Sequence, residues 1–329
     1  TSSPGLILPS RTYTLADINL PSQDLYNPRV TEFPGNMDAI ANVDVTQYGL
    51  KLIYDTNPAV GDIGRYTSPT NIGLSMAQWL LVAKGDLVVA GVSQQQAFNM
   101  LLKSITALKD LPADQKWNGL YYTYDFINNT PQKDPNANVH VTSQADNGNL
   151  AASLAAVIGA YKAEADASAD SADPKKLLVN YAQAILNGMD WTKLVDTAEN
   201  KVYLAVDVDS NNVGTPQGFP DGTPYYADNL FDELRLGVIF GIVQNNISQA
   251  TWTNLDKKSA TCLIDGGVSL NTLKSGNGAM FQAFLPSVFF KETDWSKGSD
   301  GSLNGFGVAL KNFALAQDYF ARTNGLPSL

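Results

Sequence analysis

Histidine and cysteine are nearly absent from this chain of 329 residues, which contains one of each, His140 and Cys262. A single cysteine excludes an internal disulfide, and we expect Cys262 to pack as a small buried hydrophobic residue. Zinc sites usually take several ligands from these two residue types, so most zinc sites are excluded and a Ser–His–Asp triad is disfavoured. We expect His140 to bond to the backbone of a loop rather than to act in catalysis.

The sequence motifs of several common enzyme classes are also missing. The chain has no G-x-S-x-G, H-E-x-x-H, C-x-x-C or phosphate-loop pattern. Carboxylates are the catalytic groups that remain, and a pair of them can hydrolyse a glycosidic bond without a cofactor. The sequence therefore predicts neither a cofactor nor a metal site.

Basic residues are scarce, because 22 lysines and arginines stand against 32 aspartates and glutamates, for a net charge of −10. Without a basic stripe, neither a nucleic acid nor an anionic membrane surface is expected as a partner. No apolar run reaches the roughly 20 residues that a membrane span needs. A neutral oligosaccharide or polysaccharide is a better match for an acidic protein, because the negative electrostatic field of the protein does not repel it.

Other features indicate export, although one cysteine alone would favour a reducing compartment. The chain begins at Thr1 without an initiator methionine, and Asn128 and Asn246 each open an N-x-[ST] sequon. Lysine is scarce and Asn, Ser, Thr and Tyr are plentiful. We expect a secreted or extracytoplasmic glycoprotein whose signal peptide has been removed.

Hydrophobic periodicity divides the chain into an arm and one helical domain. Residues 1–34 contain five prolines and little periodicity, so we expect an extended arm, followed by a helical domain over residues 35–329. Predicted helices that are apolar all round alternate with amphipathic ones, which indicates two concentric layers of helix hairpins rather than a simple bundle. The predicted helices span residues 37–55, 68–82, 93–110, 147–162, 174–188, 228–244, 248–257, 278–290 and 304–323.

Three carboxylates are the candidate catalytic groups. Glu233 is expected in the first turns of an apolar helix, where loss of water would raise its pKa, although Arg235 or the helix N-terminus would oppose the shift. The alternative is a structural Glu–Arg or capping interaction. Asp146 is either the N-cap of its helix or a groove carboxylate. Asp125 follows the aromatic segment 117–124, whose Trp117, Tyr121 and Tyr122 either stack on sugar rings or form the core of a hairpin.

Five segments in one order resemble a known family. They are residues 67–73 (TSPTNIG), 117–119 (WNG), 146–150 (DNGNL), 233–235 (ELR), and 278–281 (GAMF) with Leu285-Pro286. Together they resemble the glucoamylase-like helical-barrel family that includes the endo-β-1,2-glucanases of bacteria and fungi. The resemblance covers roughly residues 35–329.

This resemblance implies an all-α (α/α)6 toroid with a few short β-hairpins in its loops. It also implies cleavage of β-1,2-glucan by an inverting mechanism without a cofactor. Glu233 matches the general acid and Asp146 matches a groove carboxylate, so these two are the predicted catalytic residues. The predicted substrate-binding residues are Tyr66, Trp117, Tyr121, Tyr122, Asp125, Arg235, Phe281 and Gln282.

The sequence departs from the family pattern in two ways. Gln282 stands where family members usually carry a glutamate, so a charged role there is lost. The family also continues beyond the residues that match 325–327, so we expect a barrel that is incomplete at its C-terminus. Either a separate or cleaved polypeptide completes the barrel or that part is missing, and the general base, if it lies in this chain, is Asp146 or Asp125.

Three functional hypotheses follow from the sequence. The first is an inverting glycoside hydrolase acting on β-1,2-glucan or a related β-glucan. The second is a non-catalytic glycan-binding or cell-surface protein on the same scaffold. The third, a polysaccharide lyase, is disfavoured because lyases act on uronic acids, and this acidic chain with one histidine lacks the basic groove that they use.

Overall fold

The computed structural model describes residues 12–13, 66–89, 91–127, 130–133, 141–208, 213–276, 278–292 and 306–325. The predicted helix over residues 37–55, most of the predicted arm, His140 and the sequon asparagine Asn128 lie outside these ranges. The described residues are mostly helical, with short β-hairpins between the helices. Over these ranges, no helix is both long enough and apolar enough to cross a membrane.

Eight α-helices lie within the described residues, and their order follows the predicted one. Short 3-10 turns follow or separate them at Ala113–Gln115, Trp191–Leu194, Asp265–Gly267 and Leu285–Val288. The helices are α1 Pro69–Lys84, α2 Gln94–Asp110, α3 Gln144–Ala167, α4 Pro174–Gly188, α5 Arg235–Val243, α6 Gln249–Thr253, α7 Met280–Phe284 and α8 Phe306–Thr323.

Local capping signals fix the first two helices. The Ser68 side chain accepts a hydrogen bond from the Asn71 N–H at 3.3 Å, and Pro69 occupies the first turn, where its missing N–H costs nothing. Ser93 forms a reciprocal capping box with Gln96. Both predicted helix starts are therefore confirmed.

Two compact units make up the chain, and the first consists of Thr1–Lys116, Thr123–Ala137 and Leu154–Leu186. Its core includes residues of α2 that are completely buried, and the Phe98 ring contacts Tyr161 edge-on with centroids 5.4 Å apart. Five strands form its two small sheets. They are β1 Thr12–Tyr13, parallel to β3 Val88–Val89, and β2 Tyr66–Thr67, antiparallel to β6 Tyr124–Ile127, which also pairs with β7 Thr130–Lys133.

The second unit consists of Trp117–Tyr122, Asn138–Ser153 and Asn187–Leu329. Phe231 lies in a cluster of buried residues with Leu273, Ala283, Leu310 and Phe313. Three pairs of strands form two-stranded sheets: β4 Lys116–Trp117 with β5 Leu120–Tyr121, β9 Val195–Asp196 with β10 Lys201–Val202, and the hairpin β13 Ser259–Ile264 with β14 Val268–Leu273. A three-stranded antiparallel sheet has β11 Val206–Asp207 between β8 Val141–Thr142 and β12 Thr215–Pro216.

The β13–β14 hairpin was not predicted as a strand pair. Its turn places Gly266 and Gly267 at φ of 73° and 74°, which suits a tight turn between strands. Cys262 lies in β13 and is half-buried, so the expectation of a buried cysteine was wrong. Cys262 lies on the more covered face of the strand with Ala260 and Ile264, but that face is only half-buried along the whole of β13.

Two predicted helices are shorter than expected. The segment predicted as helix over residues 228–244 becomes helical only at Arg235, because the backbone of Asp228 and Leu230 bonds to Asp256 instead. The segment over residues 278–290 divides into α7 and the 3-10 turn that contains Pro286, a residue without the N–H that an α-helix needs.

The approach of α3 and α5 depends on two glycines. A Cβ atom on Gly148 would lie 2.4 Å from the backbone N of Gly237, and a Cβ atom on Gly237 would lie 2.6 Å from the backbone O of Gln144. The two helices therefore meet in close backbone contact, and the Gln144 side chain also lies against Gly237. This contact brings residues 146–149 next to the residues that precede α5.

We predict that Gly148→Ala destabilises the protein by about 1–3 kcal/mol, because the added methyl group overpacks the contact. Gly159→Ala in the same helix is the matched control. Its Cβ would meet nothing within 4 Å, so alanine should be neutral or stabilise by about 0.5–1 kcal/mol. Denaturant unfolding measures the free energy of unfolding of both variants. Equal midpoints for Gly148→Ala and Gly159→Ala would contradict the close contact between α3 and α5.

Candidate active site

Glu233 lies in the turn immediately before α5 and is half-buried. Asn149, on α3, donates from Nδ2 to the Glu233 Oε2 atom at 2.9 Å, and Asn149 itself is completely buried. The amide therefore fixes one carboxylate oxygen of Glu233.

The environment of Glu233 favours its protonated form. Burial raises the pKa of this carboxyl to about 7, the hydrogen bond from Asn149 lowers it, and the nearby charges of Asp146 and Asp232 raise it. Arg235 also lowers the pKa, with the smallest of these effects. A carboxyl with this pKa holds its proton near neutral pH and can still release it, which is what a general acid must do.

Asp146 lies in the first turn of α3 and is half-buried. Ser143 caps this helix, because its Oγ accepts from the Asp146 N–H at 3.1 Å and donates to Asp146 Oδ2 at 2.8 Å. The helix begins at Gln144, so the interpretation of Asp146 as the N-cap was wrong by three residues. The Asp146 carboxylate instead bonds back to the cap and contributes to the field at Glu233.

Asn147 explains why the segment after Asp146 is polar although it is buried. Its Nδ2 donates to the backbone O of Tyr121 at 3.1 Å and to Thr142 Oγ1 at 2.9 Å, while its Oδ1 accepts from the Tyr121 N–H at 2.8 Å. Asn147 thus ties β5 to the start of α3. The four residues of 146–149 therefore serve, in order, to bond the cap, to hold β5, to contact α5 and to bond Glu233.

Asp232 provides a second carboxylate beside Glu233. It accepts the Glu233 N–H at 2.7 Å, and burial raises its pKa while backbone N–H groups of Glu233 and Gly276 lower it. A Cβ atom on Gly276 would lie 2.7 Å from Asp232 Oδ2 and 3.7 Å from Gln282 Oε1. Asp232 and the half-buried Gln282 therefore lie against the same glycine.

Arg235 was predicted to contact substrate, but the structure buries it completely. Its Nε and Nη2 atoms form two 2.7 Å bonds with the carboxylate of Glu292, and Ser287 Oγ donates to the same carboxylate at 2.5 Å. The remaining guanidinium protons reach the backbone oxygens of Asp232, Gln282 and Ala283. All five donors of the guanidinium are thus used within the protein. The prediction that Arg235 binds substrate is corrected to an anchoring role.

The predicted sugar-binding aromatics are divided between the interior and the surface. Tyr121 and Tyr122 are only 2% and 3% exposed, and burial raises the pKa of Tyr121 well above its usual range. They are core residues of the β5 region, the alternative interpretation of this segment, because a ring buried to this extent has no free face for a sugar. Trp117 is half-buried with its ring against Gly214, and Phe281 is exposed.

Tyr66 and Asp125 lie in the first unit, where they are cross-strand partners in β2 and β6. The side chains of these two residues lie outside the described part of the structure, so their assignment stays a prediction.

Glu292 was missed by sequence reasoning. The available signal was an arginine inside an apolar helix, since such a charge needs a buried partner. Across the described ranges, no group of three or more His, Cys, Asp or Glu residues is arranged to hold a metal ion.

No family model and no curated protein matches the sequence. Solved structures do match the fold. The endo-β-1,2-glucanase of Talaromyces funiculosus, in complex with sophorose, aligns with a TM-score of 0.60 and 13% identity over 91% of this chain and 64% of its own. The endo-β-1,2-glucanase of Chitinophaga pinensis aligns with a TM-score of 0.57 and 12% identity over 88% of this chain and 68% of its own.

A glucoamylase-like protein of Bacteroides fragilis aligns with a TM-score of 0.58 and 14% identity, over 96% of this chain and 68% of its own. The chain has the fold of the glucoamylase-like α/α toroids. The predicted fold class is therefore confirmed. The chain spans 64% of the length of the fungal glucanase, and these structures give no support to the predicted separate C-terminal polypeptide.

We predict that Glu292→Gln destabilises the protein by about 3–5 kcal/mol, because it leaves the Arg235 charge buried without a countercharge. Asp265→Asn is the control. Its pair with Arg322 has bonds of 2.6 and 3.2 Å but lies on the surface, so its loss should leave the unfolding free energy close to that of the wild type. Similar losses of unfolding free energy in both variants would contradict the anchoring role of Arg235.

The raised pKa of Glu233 predicts a specific dependence of stability on pH. Between the unfolded value of 4.5 and the folded value of about 7, the folded state binds more protons than the unfolded state. The contribution of Glu233 to stability is therefore complete below pH 4.5 and is lost as pH rises to 7. Glu233→Gln should gain stability relative to the wild type over this interval, whereas Glu199→Gln, at an exposed position, should follow the wild type. If the unfolding free energies of Glu233→Gln and the wild type changed in parallel with pH over this interval, the raised pKa of Glu233 would be contradicted.

Proposed function

We propose that this protein is a glycoside hydrolase that cleaves β-1,2-glucan, or a related β-glucan, by an inverting acid–base mechanism with Glu233 as the general acid. The observation that carries the proposal is the half-buried Glu233 carboxyl, which has a pKa of about 7 and one oxygen bonded to Asn149. The fold that the chain shares with two endo-β-1,2-glucanases supports the choice of substrate.

The proposed step follows from the geometry of Glu233. Asn149 donates to Oε2, which leaves Oε1 as the oxygen that carries the proton. The Oε1 proton passes to the glycosidic oxygen as the bond between that oxygen and the anomeric carbon breaks. The carboxylate left on Glu233 is then stabilised by the hydrogen bond that it already accepts, so no side chain must move during transfer.

A second group must activate the water that attacks the anomeric carbon from the opposite face of the sugar. Asp146 is the candidate within the second unit, since it is half-buried and its charge acts on Glu233. In this role Asp146 accepts a proton from the water while the new bond forms. The negative charge of Asp146 also helps Glu233 to keep its proton until the substrate is bound.

We predict that Glu233→Gln lowers the release of reducing ends from β-1,2-glucan by about 10²–10⁴-fold, the usual contribution of a general acid. Wild-type activity should fall as pH rises through about 7, because Glu233 then loses its proton. Glu199→Gln, which removes an exposed carboxylate, should keep wild-type activity.

Retained turnover in Glu233→Gln would remove Glu233 from the acid role. Binding of β-1,2-glucan without turnover by the wild-type protein would instead identify a non-catalytic glycan-binding protein. Measuring glucan affinity beside reducing-end release therefore separates the two functions.

A further inference from the structure

The loop after β12 exposes an aromatic ring that the proposed chemistry does not use. Phe219 is 53% exposed, and Leu204 and Val213, which come earlier in this region of the chain, are exposed as well. An aromatic ring that is exposed on an ordered turn and held there by a second ring presents a flat face on which a ligand can stack. We propose that Phe219, together with Tyr225, forms a sugar-stacking subsite for the glucan chain; this inference rests on the proposed function.

Hydrogen bonds within residues 217–225 hold Phe219 in place. The Phe219 N–H donates to the Thr223 O at 2.8 Å, and the Gly222 N–H donates to the Phe219 O at 2.9 Å. The Tyr225 N–H donates to the Gln217 O at 2.7 Å, which closes the base of the loop. Gly222 has a φ of 87°, a value that favours glycine and allows the tight turn. The ring therefore stands on a closed turn that these backbone bonds hold together.

Tyr225 fixes the orientation of the ring. The two ring centroids are 4.4 Å apart and the ring planes are 72° apart, a favourable edge-to-face arrangement. Tyr225 is half-buried and Phe219 is exposed, so the tyrosine supports the phenylalanine and does not cover it. A ring that is held in advance loses little conformational entropy when a ligand binds.

A continuous set of hydrogen-bonded strands connects this loop to Asp146. In the sheet, Thr142 of β8 pairs with Val206 of β11, which pairs with Pro216 of β12. Ser143, the cap that bonds Asp146, follows Thr142 directly, and Phe219 comes shortly after Pro216. Three neighbouring strands span about 10 Å. This sheet therefore holds the loop and the start of α3, which carries Asp146, in a fixed relative position.

The chemistry of the loop matches a neutral sugar. One face of a pyranose ring is rich in C–H groups and packs on an aromatic face, while its hydroxyls need polar neighbours. Asp221 and Thr223 supply polar groups in the same turn, and the Asp221 carboxylate already accepts the Thr223 N–H at 2.9 Å. A protein partner would need a larger apolar surface than this pair of rings offers. The loop thus supplies the exposed ring that Tyr121 and Tyr122 were expected to supply.

The decisive experiment measures affinity for β-1,2-glucan by calorimetry, with every variant built on Glu233→Gln so that substrate is not consumed. Phe219→Ala should bind the glucan about fivefold to tenfold more weakly than the parent, the value of one aromatic contact. Phe219→Trp should restore the affinity, because it restores a flat ring. Phe320→Ala is the matched control, since Phe320 is 56% exposed but lies on α8, and it should bind like the parent.

A second measurement uses the otherwise wild-type enzyme. Phe219→Ala should raise KM for the glucan and leave kcat unchanged, because the ring contacts a sugar away from the bond that breaks. Unchanged affinity in Phe219→Ala, or the same loss in Phe320→Ala, would overturn the stacking subsite alone. If the parent with Glu233→Gln binds no glucan and the wild type releases no reducing ends, the proposed function fails instead.

Discussion

The ion pair between Arg235 and Glu292 is the interaction on which the second unit depends. It joins the first residue of α5 to a segment 57 positions away in the chain, and both side chains are buried. A charge in that position is stable only because the carboxylate and three backbone oxygens surround it. The same guanidinium donates to the backbone O of Asp232, so this hydrogen bond also fixes the turn that carries Asp232 and Glu233. The acidity of Glu233 can be tuned by burial because its backbone is fixed.

Local interactions were predictable from the sequence, and distant ones were not. The starts of α1 and α2 depend on capping bonds between residues three apart, so the sequence pattern alone predicted where these helices begin. Partial burial of Glu233 was also predicted, because a carboxylate beside a strongly apolar run implies loss of water, and the raised pKa agrees with it. The start of α5 was not, since Asp256 bonds the backbone that would have extended the helix.

The aromatic segment 117–124 shows that contacts between residues distant in the sequence also limited the prediction of the candidate site. Alternating tyrosines after Trp117 fit either a sugar platform or a core, and the sequence did not decide between them. Asn147, 26 positions away, pairs with both backbone groups of Tyr121 and so places β5 in the interior. The exposed ring lies in the loop after β12, where a phenylalanine between glycine and proline carried no periodic signal.

The glycine contact between α3 and α5 has a consequence for how this protein can change. Because backbone meets backbone at Gly148 and Gly237, this close contact sets the position of Asn149 relative to Glu233. A larger residue at either glycine would push the two helices apart and change that position. Under the proposed roles, residues such as Phe219 in the loop after β12 can be exchanged while Glu233 keeps its place. Proton donation and substrate choice would then belong to separate parts of the chain, which leaves the second free to diversify.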